Sequence, residues 1–233
     1  KLNYLGVSYG TFIGSMYAEL FPERTGRLVL DSAVDITNEG EVFQAEGFET
    51  ALGLYADWCA GEDSCSLGNS RDEVTSRINS FLHGLDANPI KVGDRQVSQG
   101  QGATGIALFL YSGKEAYPRL TRTVEAAMNG NGRALLKAAD GLTGRKENGW
   151  ETSAYAFPAI RCVDQRDAGV AATEDTRKKV AEKAPVFGGN MGSDLVCERW
   201  TASSAPNLKL TGKGAAPILV VGSTGDSATP YQQ

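Results

Sequence analysis

The feature that most constrains this chain is the junction at Ser8. Leu2–Val7 is apolar and suited to a β-strand, Ser8–Gly10 reads as a turn, and Phe12, Ile13, Met16, Tyr17 and Leu20 then recur at helical spacing through Phe21. Pro22 and Gly26 close the helix. Arg27–Val34 carries Leu28, Val29, Leu30 and Val34, a short apolar run of the kind found in strands buried on both faces. The order is β-α-β. Near the other end Pro217 precedes Ile218–Val221, a second such run, followed by a turn over Gly222–Asp226 and an expected helix start near Pro230. A parallel sheet with its loops at the strand ends is implied.

The stretch from Asn38 to Pro206 has a different texture. Glu41–Cys59, Asp72–Leu85, Ala116–Met128 and Thr173–Ala184 carry helix-like patterns punctuated by Gly and Asn. Pro89–Val97 and Pro185–Gly192 read as extended or loop connections, and Gly100–Gly105 as a helix start. The expected division is therefore residues 1–37 and 207–233 as one α/β core, with 38–206 as a mainly helical insertion.

Composition bounds the partners. The chain has 233 residues, 41% of them apolar and 22% charged, which is enough to bury a core. Lys plus Arg number 23 against 28 Asp plus Glu, a net charge of -5, and no basic block could track a phosphate backbone, so nucleic acid is not an expected partner. No apolar stretch approaches the ~18 residues that cross a bilayer. Lys1 opens directly on what reads as a buried strand, so the sequence reads as the interior of a longer protein.

Gly6-Val7-Ser8-Tyr9-Gly10 matches G-x-S-x-G, the nucleophile elbow of serine hydrolases. The spacing has a mechanical cause. A serine on a sharp strand-to-helix turn holds a strained backbone, and flanking residues without side chains let strand and helix close up while Oγ stands free. The helix start then offers the Tyr9 N–H to a developing oxyanion. Asp226 falls at the carboxyl end of a strand, where ligand-handling residues of α/β sheets collect, and fits the chain order Ser, Asp, His of this kind of triad. The alternative for Asp226 is a turn aspartate capping the next helix. The sequence has one histidine, His83, which precedes Asp226 and sits in the last turn of an expected helix, where it complements the dipole. The catalytic base is therefore expected beyond Gln233, and the second oxyanion donor before Lys1.

Leu5–Thr11, Tyr17–Pro22 and Gly26–Asp31 with Asp35 resemble the actinobacterial tripeptidyl-aminopeptidase-like branch of the α/β-hydrolases, related to proline iminopeptidases. Ala159–Asp164, Cys197, Trp200, Gly225-Asp226 and Thr229-Pro230 are also similar to that family. The resemblance covers most of the chain and is strongest over residues 3–35 and 216–231. It implies a partial α/β-hydrolase parallel sheet with a large, mainly helical cap, in an enzyme that removes short peptides from free N-termini. Ser8 would be the nucleophile, Tyr9 N–H an oxyanion donor and Asp226 the triad acid. Ser32 departs from the glycine expected in Leu-Asp-Gly, and the missing histidine departs further.

Four cysteines allow three pairings. Cys59 and Cys65 are close in sequence with Gly61 and Ser64 between them, so a local bridge is geometrically easy. Cys162 and Cys197 would then pair, stabilising the cap by about 3 to 4 kcal/mol on the loop-entropy view. Two bridges imply an oxidising compartment, hence an extracellular or cell-envelope location with a signal peptide expected upstream; four buried thiols in a cytosolic enzyme are the alternative. Without a C-x-x-C pair and with a single histidine, no metal or cofactor is expected.

An exopeptidase must recognise an ammonium group, for which a partly desolvated carboxylate in the cap serves. Asp164 is the first candidate, followed by Glu46 and Glu49; a solvated or locally paired acid is the alternative for each. Tyr55, Trp58, Tyr111, Tyr155 and Phe157 could line a pocket, with core packing as the alternative. The expected partner is a peptide with a free N-terminus. Two rival readings stand beside this one: an esterase or lipase using the same elbow, and a catalytically incomplete fragment, since residues 1–233 alone lack the base.

Overall fold

The computed structural model describes residues 1–36, 43–164, 169–191, 196–202 and 209–232. Both expected domain boundaries, at 37/38 and 206/207, lie outside the described residues, as do Glu41, Gly192 and Gln233.

The chain begins with β1 (Leu2–Val7), α1 (Tyr9–Leu20) and β2 (Thr25–Asp31). There follow α2 (Phe43–Ala60), α3 (Arg71–Ala87), the hairpin β3 (Ile90–Val92) and β4 (Arg95–Val97), α4 (Gln99–Tyr111), α5 (Tyr117–Met128) and α6 (Arg133–Thr143). A two-residue hairpin, β5 (Arg145–Lys146) and β6 (Gly149–Trp150), leads to α7 (Thr152–Asp164), α8 (Val170–Lys183), the short α9 (Gly188–Met191) and finally β7 (Ile218–Val221). The three long-range strands form one parallel sheet in the order β1-β2-β7. The fold is that of an α/β protein with a parallel sheet, and most of its helix lies between β2 and β7.

One face of the sheet is covered over β1 and β2, while at β7 Val220, beside Leu30 on that face, is 58% exposed. Tyr4, Leu28 and Leu30 point toward α1, where Gly14 lets the helix settle on Leu30. The opposite face carries Leu5, Val7, Leu219 and Val221, and all four are exposed, Leu5 by 65%. The expectation of a strand buried on both faces thus fails for β7, and that of a buried strand for β1. They are the two edges of a three-stranded sheet, and no described element packs on that face.

Other sequence expectations shift for local reasons. β2 stops at Asp31 rather than Val34 because Ser32 turns to a left-handed φ of 53°. No helix starts near Pro230 among the described residues: the Asp226 carboxylate takes up the Ala228 and Thr229 N–H groups and closes a turn instead. The Gly100–Gly105 run lies inside α4, which begins at Gln99 behind a Ser98–Gln101 capping box. The segment read as a connection over 185–192 contains α9.

The main apolar core belongs to the insertion. Leu52 and Tyr55 of α2, Ile78 and Leu82 of α3, Ile106 of α4, Leu120 of α5 and Leu135 of α6 are all buried in it, with Phe187 before α9. The Tyr55 hydroxyl stays inside because Thr121 Oγ1 pairs with it at 2.8 Å. Arg95 clamps Asp140 with two bonds, at 2.6 and 2.7 Å, and holds the β3–β4 hairpin on α6. Cys59 is bonded to Cys65 and Cys162 to Cys197, the second bridge tying α7 to a helical turn at Cys197–Arg199.

One contact joins the two ends of the sheet unit. Glu19 of α1 accepts from the N–H groups of Thr211 and Gly212, at 2.6 and 2.7 Å, and so grips the segment that leads into β7. These donors hold its carboxyl below the ordinary value.

Candidate active site

The elbow is built from the strand upward. Ser8 ends β1 and lies at φ 52°, ψ −122°, a backbone that side chains rarely adopt. Two anchors hold it there. Its N–H donates to Asp31 O at 3.0 Å, and its carbonyl accepts from Thr11 N and Thr11 Oγ1 at 2.8 and 2.7 Å. The glycines on either side are needed for space: a β-carbon on Gly6 would stand 2.4 Å from Gly10 O. With that carbonyl pressed on the strand and bonded by Tyr4 Oη at 2.9 Å, Ser8 is left exposed at the crest of the turn. Tyr9 is the first residue of α1, and a helix supplies no partner to the N–H groups of its first turn.

Asp226 stands beyond β7, on the far side of β2 from Ser8. The register pairs Val7 with Asp31 and Asp31 with Val221, so both residues rise from the same, carboxyl end of the sheet. They are separated by two strand spacings, about 10 Å across the sheet. The Asp226 carboxylate accepts from Ala228 N (2.9 Å), Thr229 N (3.0 Å) and Thr229 Oγ1 (2.9 Å). Burial alone would raise this carboxyl; the donors outweigh it and hold it below the ordinary value.

The acid loop rests on the insertion. A β-carbon on Gly47 of α2 would meet Pro230 Cγ at 2.4 Å and Ser227 O at 2.5 Å, and Gln44 Nε2 reaches Ala228 O at 3.4 Å.

The insertion also reaches the elbow. The Tyr9 hydroxyl donates to Asp164 Oδ2 at 2.7 Å, bringing the last residue of α7 beside the residue that follows Ser8. Partial burial, then the bond to Asp164 and its charge, push the Tyr9 hydroxyl up to about 12, so it remains a donor across the working pH range.

The other acids are engaged elsewhere. Glu49 accepts from Val186 N and Phe187 N at 3.0 and 3.2 Å, and Glu46 pairs with Lys183 at 3.2 Å. Both carboxylates are thus held by the end of α8 and the segment before α9. Their places near the start of α2 put them against the segments that flank α9 and end α8. His83 is exposed on α3 with Nδ1 on its own helix, at Asn79 O. Of the aromatic residues, Tyr55 is in the core and Trp58 stacks beside it, whereas Tyr111, Tyr155 and Phe157 are exposed. Sequence reasoning missed Thr229 and Gly47 as parts of the acid loop's support. A glycine inside a helix costs stability, which was the available signal for Gly47.

A serine on a strained strand-to-helix turn, with an acid two strands away at the same sheet end, defines the α/β-hydrolase class. The profile described as alpha/beta hydrolase fold matches residues 1–105, and that described as TAP-like protein matches residues 184–233. The chain belongs to the α/β-hydrolase family, on its TAP-like branch. It is 34% identical over 253 residues to serine protease Hip1 of Mycobacterium tuberculosis, a match that takes in 100% of this chain and 48% of that protein. Tripeptidyl aminopeptidase of Streptomyces lividans is 29% identical over 246 residues, covering 100% of this chain and 44% of the relative. Carboxylesterase B of Mycobacterium tuberculosis is 34% identical over 228 residues, covering 92% and 43%. The chain spans about half the length of these relatives.

Proposed function

We propose that residues 1–233 supply the nucleophile and the acid of a serine hydrolase that removes short peptides from free N-termini. Ser8 Oγ attacks the carbonyl carbon as a general base takes its proton; the carbonyl oxygen becomes an oxyanion facing the Tyr9 N–H. The amine leaves with that proton, and water then hydrolyses the acyl-serine by the same route. Asp226 orients the base and stabilises its cationic form. The base is a histidine outside residues 1–233, because His83 is held to its own helix. For the same reason these residues alone turn over no substrate and react slowly with a fluorophosphonate.

The observation that carries the peptidase reading is the 2.7 Å bond from Tyr9 Oη to Asp164. It supports a negative charge beside the elbow, the complement of a substrate ammonium group. The two disulfides favour an extracellular or envelope location. The test is turnover by the full-length protein of peptide anilides with free and with acetylated N-termini, beside Ser8→Ala and Asp164→Asn. Loss of all activity in Ser8→Ala, and selective loss of the free-amine substrate in Asp164→Asn, is the expected result. Ester hydrolysis is the second reading, favoured by the likeness to Carboxylesterase B. Activity on short esters only, or indifference to acetylation, decides for it.

A further inference from the structure

Ser8 stands at the N-cap of α1, where a serine oxygen ordinarily accepts the N–H of the second or third helical residue. Its side chain makes no such bond. The N–H of the third residue, Thr11, goes to the Ser8 carbonyl instead, at 2.8 Å, and the Thr11 hydroxyl donates to the same oxygen at 2.7 Å. One residue thus holds that carbonyl twice, and Ser8 Oγ is left for chemistry.

The carbonyl belongs to the same peptide unit as the Tyr9 N–H. That unit is trans and planar, so its N–H points away from its C=O. Holding the oxygen against buried Thr11 therefore fixes the direction in which the Tyr9 N–H is aimed. Thr11 is itself held: it is 1% exposed, and its Oγ1 accepts from Val34 N at 2.9 Å. A hydroxyl has one proton to give, and with the Val34 N–H on a lone pair that proton is committed to Ser8 O. Val34 lies just past the end of β2, so the anchor runs from the exit of the neighbouring strand, through one buried hydroxyl, to the peptide of the elbow.

We propose that Thr11 is a positioning residue whose buried hydroxyl locks the Ser8–Tyr9 peptide and so aims the Tyr9 N–H at the developing oxyanion. The proposal rests on Ser8 being the nucleophile and the Tyr9 N–H an oxyanion donor. A bound substrate gains little from that N–H, whereas the oxyanion needs it, so loss of the Thr11 hydroxyl falls on the chemical step and spares binding.

The test uses the full-length protein with Thr11→Val, which removes the hydroxyl and keeps the branched shape, and Thr11→Ser, which keeps the hydroxyl. Each is read by kcat per site titrated with a fluorophosphonate, by KM for a short acyl ester, by the pH profile, and by affinity for an alkylboronic acid, which forms a tetrahedral adduct on a serine. Thr11→Val is expected to lose about tenfold in kcat and in boronate affinity, with KM and the pH profile unmoved, and Thr11→Ser to stay within about twofold of the parent. Where Thr11→Val does not fold, Thr11→Ala, whose smaller side chain leaves room for water at the Val34 N–H, is expected to show the same loss. A damaged fold alone lowers the number of titratable sites and leaves kcat per site at the parent's value; that result, or an equal loss in Thr11→Ser, overturns the proposal. Ser8→Ala is run alongside. An inactive Ser8→Ala beside a fully active Thr11→Val overturns the role of Thr11 and leaves the nucleophile standing, whereas turnover that survives Ser8→Ala overturns both together.

Discussion

Gly47 and Ser227 meet with no room between them: a β-carbon on the helix residue would lie 2.5 Å from the loop residue's carbonyl oxygen. The helix α2 is therefore a wall of the acid loop, and the missing side chain at Gly47 is what allows the loop to close.

Substituting Gly47→Ala should push the loop off α2. The strain of overpacking predicts a loss of about 1 to 3 kcal/mol, although alanine is the better helix former. Thermal unfolding reads the stability, and kcat on an ester substrate should fall with it because Asp226 moves. A stabilised, fully active Gly47→Ala would show that the contact yields.

Tyr9→Phe separates the two parts of Tyr9. The backbone N–H remains, so kcat on an acyl ester should change little. The carboxylate of Asp164 loses its donor, and KM for a peptide with a free N-terminus should rise about three- to tenfold. Asp164→Asn should raise that KM about tenfold or more while sparing the ester.

Glu49 carries a prediction about pH. Burial raises its carboxyl, and the Val186 and Phe187 N–H groups only partly offset this. The folded chain thus holds that proton more tightly than the unfolded one, and the stability this confers is lost as pH rises through the raised value. Glu49→Gln keeps an acceptor without the buried charge and should hold or raise the melting temperature at neutral pH. Glu49→Ala leaves two N–H groups unmatched and should cost about 2 kcal/mol.

Asp226 behaves in the opposite sense. Its folded carboxyl sits below the ordinary 3.8, so its contribution to stability is complete above that value and is lost as pH falls through the lower, folded one. Melting curves of the parent and Asp226→Asn should differ most near neutrality and converge in acid. A constant gap at every pH would assign the loop's order to the neutral hydrogen bonds alone.

Much of this arrangement was legible in the sequence. The elbow was, because Gly6, Ser8 and Gly10 are fixed by sterics within five residues and the apolar period changes on either side of them. Asp226 was, because it follows an apolar run at a strand's end. The helices α6 and α7 were not singled out. Pro158 lies inside α7, whose outward face carries Tyr155 and Phe157, so no polar side marks its period. The open face of the sheet was invisible for a related reason: an apolar strand reads alike whether or not anything covers it. Nor could spacing assign Glu49, since its partners lie far along the chain at Val186 and Phe187. Ser32 registered only as a departure from glycine, its left-handed backbone becoming visible in three dimensions.

The Glu19 clasp has a mechanical corollary. By holding the run-up to β7 against α1, the helix that follows Ser8, it joins Ser8 and Asp226 to a common chassis. Were the helices between β2 and β7 to tilt, they would swing above that chassis, and Ser8 and Asp226 would ride through the motion at a constant separation.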